Sequence, residues 1–305
     1  MRLFGKTNID FMSKRRYWYM VSAAVILAGL ASVAIKGLHF GIDFLGGTEL
    51  VVRFQHDVEI SDVRAAMQQG GVQNAEIKSF GARSEILIRT VEQAEGTAIA
   101  DRLQSALTAA FPQNPYAVLK EDKIGPKIGE ELRRDALYAV IASLIAIWLY
   151  IAFRFKFVYG FGAVAALFHD VLVTLGAISI CDAWLNLEID QNMIAAFLTL
   201  IGLSVNDTVV IFDRIRENQK IHRAMPLQEL MNKSINETLS RTLITMGTIT
   251  AVLVVLVIWG GQVLQGFSFA LLVGITTGTY SSIYIASAAA LEWVNRAGLK
   301  GKLVN

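Results

Sequence analysis

The stretch Leu198–Asn218, LTLIGLSVNDTVVIFDRIREN, decides the fold. Its first two-thirds is apolar enough for the inside of a membrane. Yet Asn206 and Asp207 sit within it, and the charged run Asp213-Arg214-Ile215-Arg216-Glu217 closes it. An ionised Asp near the centre of a membrane helix costs about 2.5–3.5 kcal/mol on insertion scales. Such a group is retained when it is paired, neutral or used. Ser204, Asp207 and Ile211 share one helix face by the i, i+3, i+4 rule. That spacing predicts a hydroxyl beside the carboxyl, on a face turned into a helix bundle.

The rest of the chain agrees with a membrane protein. Of 305 residues, 54% are hydrophobic and only 18% charged, and the mean hydropathy is +0.47. That is too apolar for an ordinary soluble domain. A hydrocarbon core of about 30 Å takes roughly 20 residues of helix. Six segments meet that length: Trp18–Ile35, Ala136–Phe153, Val158–Ile180, Met193–Phe212, Thr242–Trp259 and Phe267–Trp293. The first follows a long polar leader and exceeds a signal-peptide core, so it reads as an uncleaved anchor.

Lys and Arg set the orientation. They stand before span one (Lys14, Arg15, Arg16), between spans two and three (Arg154, Lys156), between four and five (Arg214, Arg216, Lys220, Arg223, Lys233, Arg241) and after span six (Arg296, Lys300, Lys302). The loops CDAWLNLEIDQN and GGQVLQG carry none. Both termini are therefore expected on the cytoplasmic side. The net charge of +2 comes with no basic face or aromatic-basic motif, so no nucleic acid is expected as a partner. A lone Cys181 excludes an intramolecular disulfide.

The expected domains are 1–37 (cytoplasmic N-terminus and first span), 38–130 (an outer α+β domain), 131–295 (spans two to six) and 296–305 (a cytoplasmic tail). In the outer segment, TELVVRFQ alternates like a strand. SDVRAAMQQGG reads as a helix with Ser61 as N-cap and a glycine stop. NAEIKSFGARSEILIRT reads as two strands turning at Gly81. Ile99, Leu103 and Leu107 space a second helix, and YAVLKEDKIG gives a last strand. The order β-α-β-β-α-β predicts a ferredoxin-like α+β unit between helices one and two of six. Leu227, Leu230, Met231, Ile235 and Leu239 predict either a helix lying on the cytoplasmic interface or a lead-in to span five.

Arg241 opens span five at roughly the depth of Asp207. Adjacent antiparallel spans could set guanidinium against carboxylate, and a carboxyl governed by a movable Arg is a proton switch. The plainer reading is that Asn206 and Asp207 only hydrogen-bond to neighbouring helices. His169 and Asp170 lie near the middle of span three. Adjacent side chains diverge by about 100°, so one is expected to face a proton path while the other packs, or His169 is simply a satisfied donor. Two acids and one His make a membrane metal site unexpected. Gly162, Gly176, Gly247, Gly274 and Gly278 fit close helix packing. The turn FGIDFLGGTEL (Gly41, Asp43, Gly46, Gly47) is not a phosphate loop, and Gly125-Pro126 marks the return to span two. No nucleophile–base pair, nucleotide motif or cofactor site is present to suggest an enzyme.

FGIDFLGGTEL after span one, GPKIGEEL before span two, HD in span three, IGLSVNDTVVIFDRIREN across span four and NETLSRTLIT into span five resemble, in order, the motifs of the SecF family. This is the smaller half of the SecDF component of bacterial protein export, in the resistance-nodulation-division superfamily. Leu45 departs from the Thr usual in the family's DFTGGT. The resemblance implies six spans with a periplasmic domain in the inner membrane. It implies SecD as a heterodimeric partner with six further spans, the SecYEG channel, and an unfolded exported polypeptide. It also implies proton flow that drives export, with Asp207 and Arg241 at the matching motif positions. A proton-coupled exporter of lipids or small molecules from the same superfamily is the alternative, and a passive scaffold is a further one. An outer domain of this size, without a large apolar face, speaks against a drug pocket.

Overall fold

The computed structural model describes residues 7–297 apart from 73, 74, 93, 95, 96 and 156. Lys156, Lys300 and Lys302, read above as cytoplasmic charges, lie outside the described residues, as does the tail from 298 onward. In chain order the elements are α1 (Arg15–Lys36), α2 (Ile42–Leu45), β1 (Gly47–Phe54), α3 (Ile60–Gln69), β2 (Glu76–Phe80), β3 (Ala82–Thr90), α4 (Ala98–Ala110), β4 (Tyr116–Ile124), α5 (Pro126–Arg154), α6 (Phe157–Leu185), α7 (Gln191–Ile221), α8 (Leu227–Trp259) and α9 (Gly261–Ser281). A π-helical turn, Ser282–Ser287, then leads into α10 (Ala288–Arg296).

Six helices are long and apolar enough to cross a membrane: Met12–Lys36, Pro126–Arg154, Phe157–Leu185, Gln191–Ile221, Leu227–Trp259 and Leu264–Arg296. All six expected spans are there, with longer ends. The chain divides into a helical unit, Met1–Leu38 with Ala139–Leu187 and Asn192–Asn305, and a sheet unit, His39–Tyr138 with Glu188–Gln191.

Glycine sets the packing of the helical unit. A Cβ on Gly29 of α1 would lie 2.7 Å from the Cα of Gly176 in α6, so these backbones touch. Gly162 meets the Ala286 carbonyl, and Gly274 meets Leu200. These contacts are dispersion-driven, since lipid is as apolar as leucine. Gly247 differs from expectation: nothing approaches it, because its face of α8 is exposed in this chain.

The segment Leu227–Leu239 also resolves. It is the first third of the continuous α8, not a separate interfacial helix. Leu230, Met231 and Ile235 are buried. Asn232 Oδ1 accepts the amides of Phe11 (3.0 Å) and Met12 (2.9 Å), and Asn236 Oδ1 accepts that of Ile9 (2.9 Å). Those bonds hold the chain that leads into α1, which removes any need for the segment to lie flat.

The sheet unit has strand order β2-β3-β1-β4, every neighbour antiparallel. This is the expected ferredoxin-like arrangement. Strand side chains alternate between faces. Leu50, Val52, Phe54, Ile86 and Ile88 therefore turn to α3 and α4, meeting Val63, Met67, Ile99, Leu103 and Leu107. The Ser61 cap is not formed. The Glu59 carbonyl accepts the amides of Asp62 (3.1 Å) and Val63 (3.3 Å), so the first turn of α3 closes before Ser61 can cap it.

The glycine-rich turn is a short helix followed by an abrupt entry into β1. Gly46 has φ +73° and Gly47 φ +143°, and a Cβ on Gly47 would strike the Thr90 carbonyl. A Cβ on Gly129 would lie 3.0 Å from the Gly46 amide, so α5 packs directly on this turn. Pro126 opens α5 at the first helical position, where its missing N–H costs nothing. Gly125 stands just before it.

The opposite sheet face is ionic. Register sets Arg89 across from Glu49 on β1 and Glu76 on β2. Arg89 bonds Glu49 and Glu188, and Lys78 bonds Glu188 at 3.0 Å. Glu188 belongs to the connection between α6 and α7. The same connection receives the Gly41 amide on the Ile189 carbonyl (2.9 Å), while Asp43 Oδ2 accepts the Gln191 amide (2.9 Å). Burial alone would lower the pKa of Lys78, but Glu76 and Glu188 raise it overall. A raised lysine pKa gives stability that is complete below the unfolded value and lost as pH rises through the folded one. This strap is therefore fully held at neutral pH and weakens on the alkaline side. Glu188→Gln leaves Arg89 and Lys78 short of a carboxylate, a cost of about 1–3 kcal/mol. Hydrogen exchange should rise at residues 188–191 and 41–43 while the sheet core stays protected. Unchanged exchange there would contradict the strap.

Candidate functional site

Asp170 sits in the middle of α6 with 1% of its surface exposed. Its carboxyl is bonded by side chains of α6, α7 and α9. Ser204 of α7 donates to Oδ2 at 2.6 Å, Ser281 of α9 donates to the same oxygen at 2.9 Å, and His169 Nδ1 lies 3.0 Å from Oδ1. Gly278 makes this possible. A Cβ there would lie 3.1 Å from Ser204 Oγ and 3.4 Å from Asp170 Oδ2. The space left by that missing side chain lets α7 and α9 close on the carboxylate together.

His169 and Asp170 were expected to point apart, but they meet. Their Cβ directions diverge, yet both side chains turn to the seam with α9, where consecutive Tyr280 and Ser281 take them. Ser204 was expected beside Asp207. Its hydroxyl bonds Asp170 instead, because α6 approaches closely and offers a buried charge in need of donors.

The network continues past His169. Its Nε2 lies 2.8 Å from the Tyr280 hydroxyl, which in turn bonds Ser22 of α1. Tyr280, Ser281 and Ser22 were not singled out from sequence. The available signal was the hydroxyl-rich run TGTYSSIYIAS inside an apolar span.

Asp207 is arranged differently. It is 4% exposed. Among the described residues none gives it a hydrogen bond, although the charge of Arg241 acts on it. The expected direct ion pair is not formed, since Arg241 lies on the exposed side of α8. Asn206 and Arg241 both line a polar cavity of about 1720 Å³ with Arg154, Asp213, Arg214 and Glu237. The cavity is also lined by Arg216 and Glu217, in the charged run of the last three turns of α7. Asp207, Asn206 and Arg241 thus form one cluster, and Asp170, His169 and Ser204 another. Asp207 lies one helical turn beyond Ser204. The motif residues Gly41, Asp43, Gly46, Gly47, Gly125 and Pro126 belong to neither; they shape the sheet unit. Among the described residues no group of three His, Cys, Asp or Glu could hold a metal ion.

Comparison with known proteins gives a consistent family. The model for "Protein export membrane protein SecD/SecF, C-terminal" matches residues 103–296, and that for the "SecD/SecF GG Motif" matches residues 31–58. The chain is 44% identical over 305 residues to the protein translocase subunit SecF of Rhodothermus marinus, covering 99% of each. It is 36% identical to SecF of Escherichia coli O157:H7, covering 94% of this chain and 88% of that one. The crystal structure of SecDF from Thermus thermophilus, a translocon-associated membrane protein, superposes with a TM-score of 0.83 at 38% identity. That match covers 95% of this chain and 39% of the SecDF chain, so the chain spans about two-fifths of the SecDF length. With matching motifs, six spans, a ferredoxin-like sheet and full-length similarity, this multi-pass membrane chain belongs to the SecF family of protein translocase subunits.

Proposed function

We propose that this chain is the SecF-type subunit of a protein translocase in the bacterial cytoplasmic membrane, and that Asp207 takes up and releases protons to assist the late export of unfolded polypeptides. The observation that carries this reading is a nearly inaccessible carboxyl without a hydrogen bond, set behind a polar cavity that holds Asn206 and Arg241. An unpaired acid in a membrane helix is costly and functional by default. An Arg close enough to act on it, but not locked to it, can favour the ionised form in one arrangement and release it in another. His169, Asp170 and Ser204 belong to the same proton-handling region.

SecD is the partner this reading requires. A fused SecDF relative supports the pairing, and the exposed Asn206, Arg241 and Gly247 leave a face of α7 and α8 for further helices to cover. The SecYEG channel and the exported chain follow from the family role. The bilayer would contact α1, α5 and α8, whose apolar windows are only 11%, 6% and 17% buried within the chain. Residues 38–130 would lie on the periplasmic side and both termini on the cytoplasmic side, in line with the Lys/Arg bias. No group suited to a catalytic step is part of this reading.

Two experiments test it. Single cysteines at positions 182 and 262 should react with an impermeant reagent from outside, and one at 220 should not; labelling at 220 from outside would overturn the topology. Asp207→Asn removes a charge that is expensive in the membrane, so the protein should insert and accumulate normally. Gradient-dependent export into vesicles should nevertheless be lost, and Arg241→Met should lose it too. If Asp207→Asn keeps the gradient-dependent increment at normal protein levels, Asp207 is a packing residue and the proposal fails.

A further inference from the structure

The contacts around Asp170 form a continuous line across three helices. Ser22 Oγ on α1 bonds the Tyr280 hydroxyl on α9. Tyr280 lies 2.8 Å from His169 Nε2, and His169 Nδ1 lies 3.0 Å from Asp170 Oδ1 on α6. The other carboxylate oxygen is held by Ser204 and Ser281, and both are donors in this role. Ser22 stands about two turns into α1, near the end that follows Lys14, Arg15 and Arg16. Tyr280 and Ser281 directly precede the π-helical turn. Such turns occur mostly as single bulges at functional sites.

We propose that Ser22, Tyr280 and His169 are a proton wire that loads and unloads Asp170, making it a second proton-holding carboxyl besides Asp207. This rests on the proton-coupled reading for its purpose only. The wire has two complete hydrogen-bond arrangements that differ by one proton. In the first, Asp170 is ionised and accepts from Nδ1–H of neutral His169. Nε2 then accepts from the Tyr280 hydroxyl, whose oxygen accepts from Ser22. In the second, Asp170 carries a proton and donates it to Nδ1. Nε2–H then donates to the Tyr280 oxygen, and Tyr280 donates to Ser22.

Passage between them is balanced. A proton arriving at the Ser22 oxygen displaces the Ser22 proton to Tyr280, the Tyr280 proton to Nε2, and the Nδ1 proton to Asp170. Each O–H or N–H bond broken is matched by one formed, and no imidazolium or tyrosinate persists. Release runs the same steps backwards. The titratable group that contacts the pair is Tyr280 from α9; Tyr284, from the π-helical turn, packs on Tyr280, and Asp207 stands one turn beyond Ser204 on α7 without a bond to the pair. Asp170's bonded partners are His169, Ser204 and Ser281; no Lys or Arg of the described residues bonds to it. An isolated carboxylate–imidazole pair would leave Nε2 and the tyrosine without this role. Here both nitrogens are engaged, so protonating one end must change the tautomer at the other.

The test uses the full chain in complex with its six-span partner, with nitrogen-15 in its histidines. His169→Asn identifies the His169 signal among the four histidines. On acidification the neutral Nδ1–H tautomer of His169 should convert to the neutral Nε2–H tautomer. A carboxylic-acid infrared band that Asp170→Asn abolishes should appear with the same midpoint. Tyr280→Phe keeps the ring and removes one link, so the tautomer change and the carboxyl band should no longer coincide. Tyr284→Phe, outside the wire, should leave both as in the parent. A His169 tautomer that stays fixed, an imidazolium at any stage, absence of an Asp170 band, or coincident midpoints in Tyr280→Phe would overturn the wire. None of these readouts depends on export. Gradient-independent export beside an intact tautomer switch would instead remove the proton-coupled reading alone.

Discussion

A carboxyl group in the middle of a membrane helix must be given its hydrogen bonds by protein side chains, because lipid gives none. Asp170 imposes this on the helical unit. Hydrogen bonds to a charged group contribute about 1.5–3 kcal/mol each, and three partners of Asp170 together offset an insertion cost of about 2.5–3.5 kcal/mol. Each donor must come within bonding distance, which fixes where α7 and α9 stand beside α6. Gly278 supplies the clearance at that point, and Gly274 against Leu200 keeps the same two helices close further along. Gly29 and Gly176 then bring α1 near enough for Ser22 to join through Tyr280. The polar network and the small residues are two sides of one packing solution.

Asp207 inverts that arrangement. It is buried, though less completely than Asp170, no described residue gives it a hydrogen bond, and the Arg241 that acts on it sits on an exposed face of α8. One membrane acid is thus bonded three times, and the other, one helical turn beyond Ser204 on α7, has no hydrogen bond among the described residues. Asn206, Arg241 and Gly247 are exposed on α7 and α8. In the proposed complex this side of α7 and α8 would be completed by the helices of the partner. Within the sheet unit, Glu188–Gln191 are held by Arg89, Lys78, Gly41 and Asp43.

The six spans, the strand order of the sheet and the unusual standing of Asp207 were legible in the sequence. Each leaves a local mark: length without charge, period-two alternation, or an acid among apolar residues. The Asp170 network was not legible. Its partners are separated by 34 and 111 residues, and serine and tyrosine in membrane helices are too common to stand out singly. The meeting of His169 with Asp170 escaped for a related reason. Helical geometry gives the direction of Cβ, but the seam with α9 decides the side-chain rotamers. Ser61 failed as a cap because Ser, a good N-cap type, carries no information on which carbonyl closes the first turn. The strap escaped because Glu188 and Arg89 belong to segments 99 residues apart.

In the proposed mechanism Asp207 carries protons through this protein. Proton uptake into vesicles containing the chain with its six-span partner, followed by an internal pH-sensitive dye under an imposed gradient, measures it directly. Asp207→Asn should reduce uptake to that of protein-free vesicles while the complex remains intact. Uptake equal to that of the parent protein would show that Asp207 carries no protons.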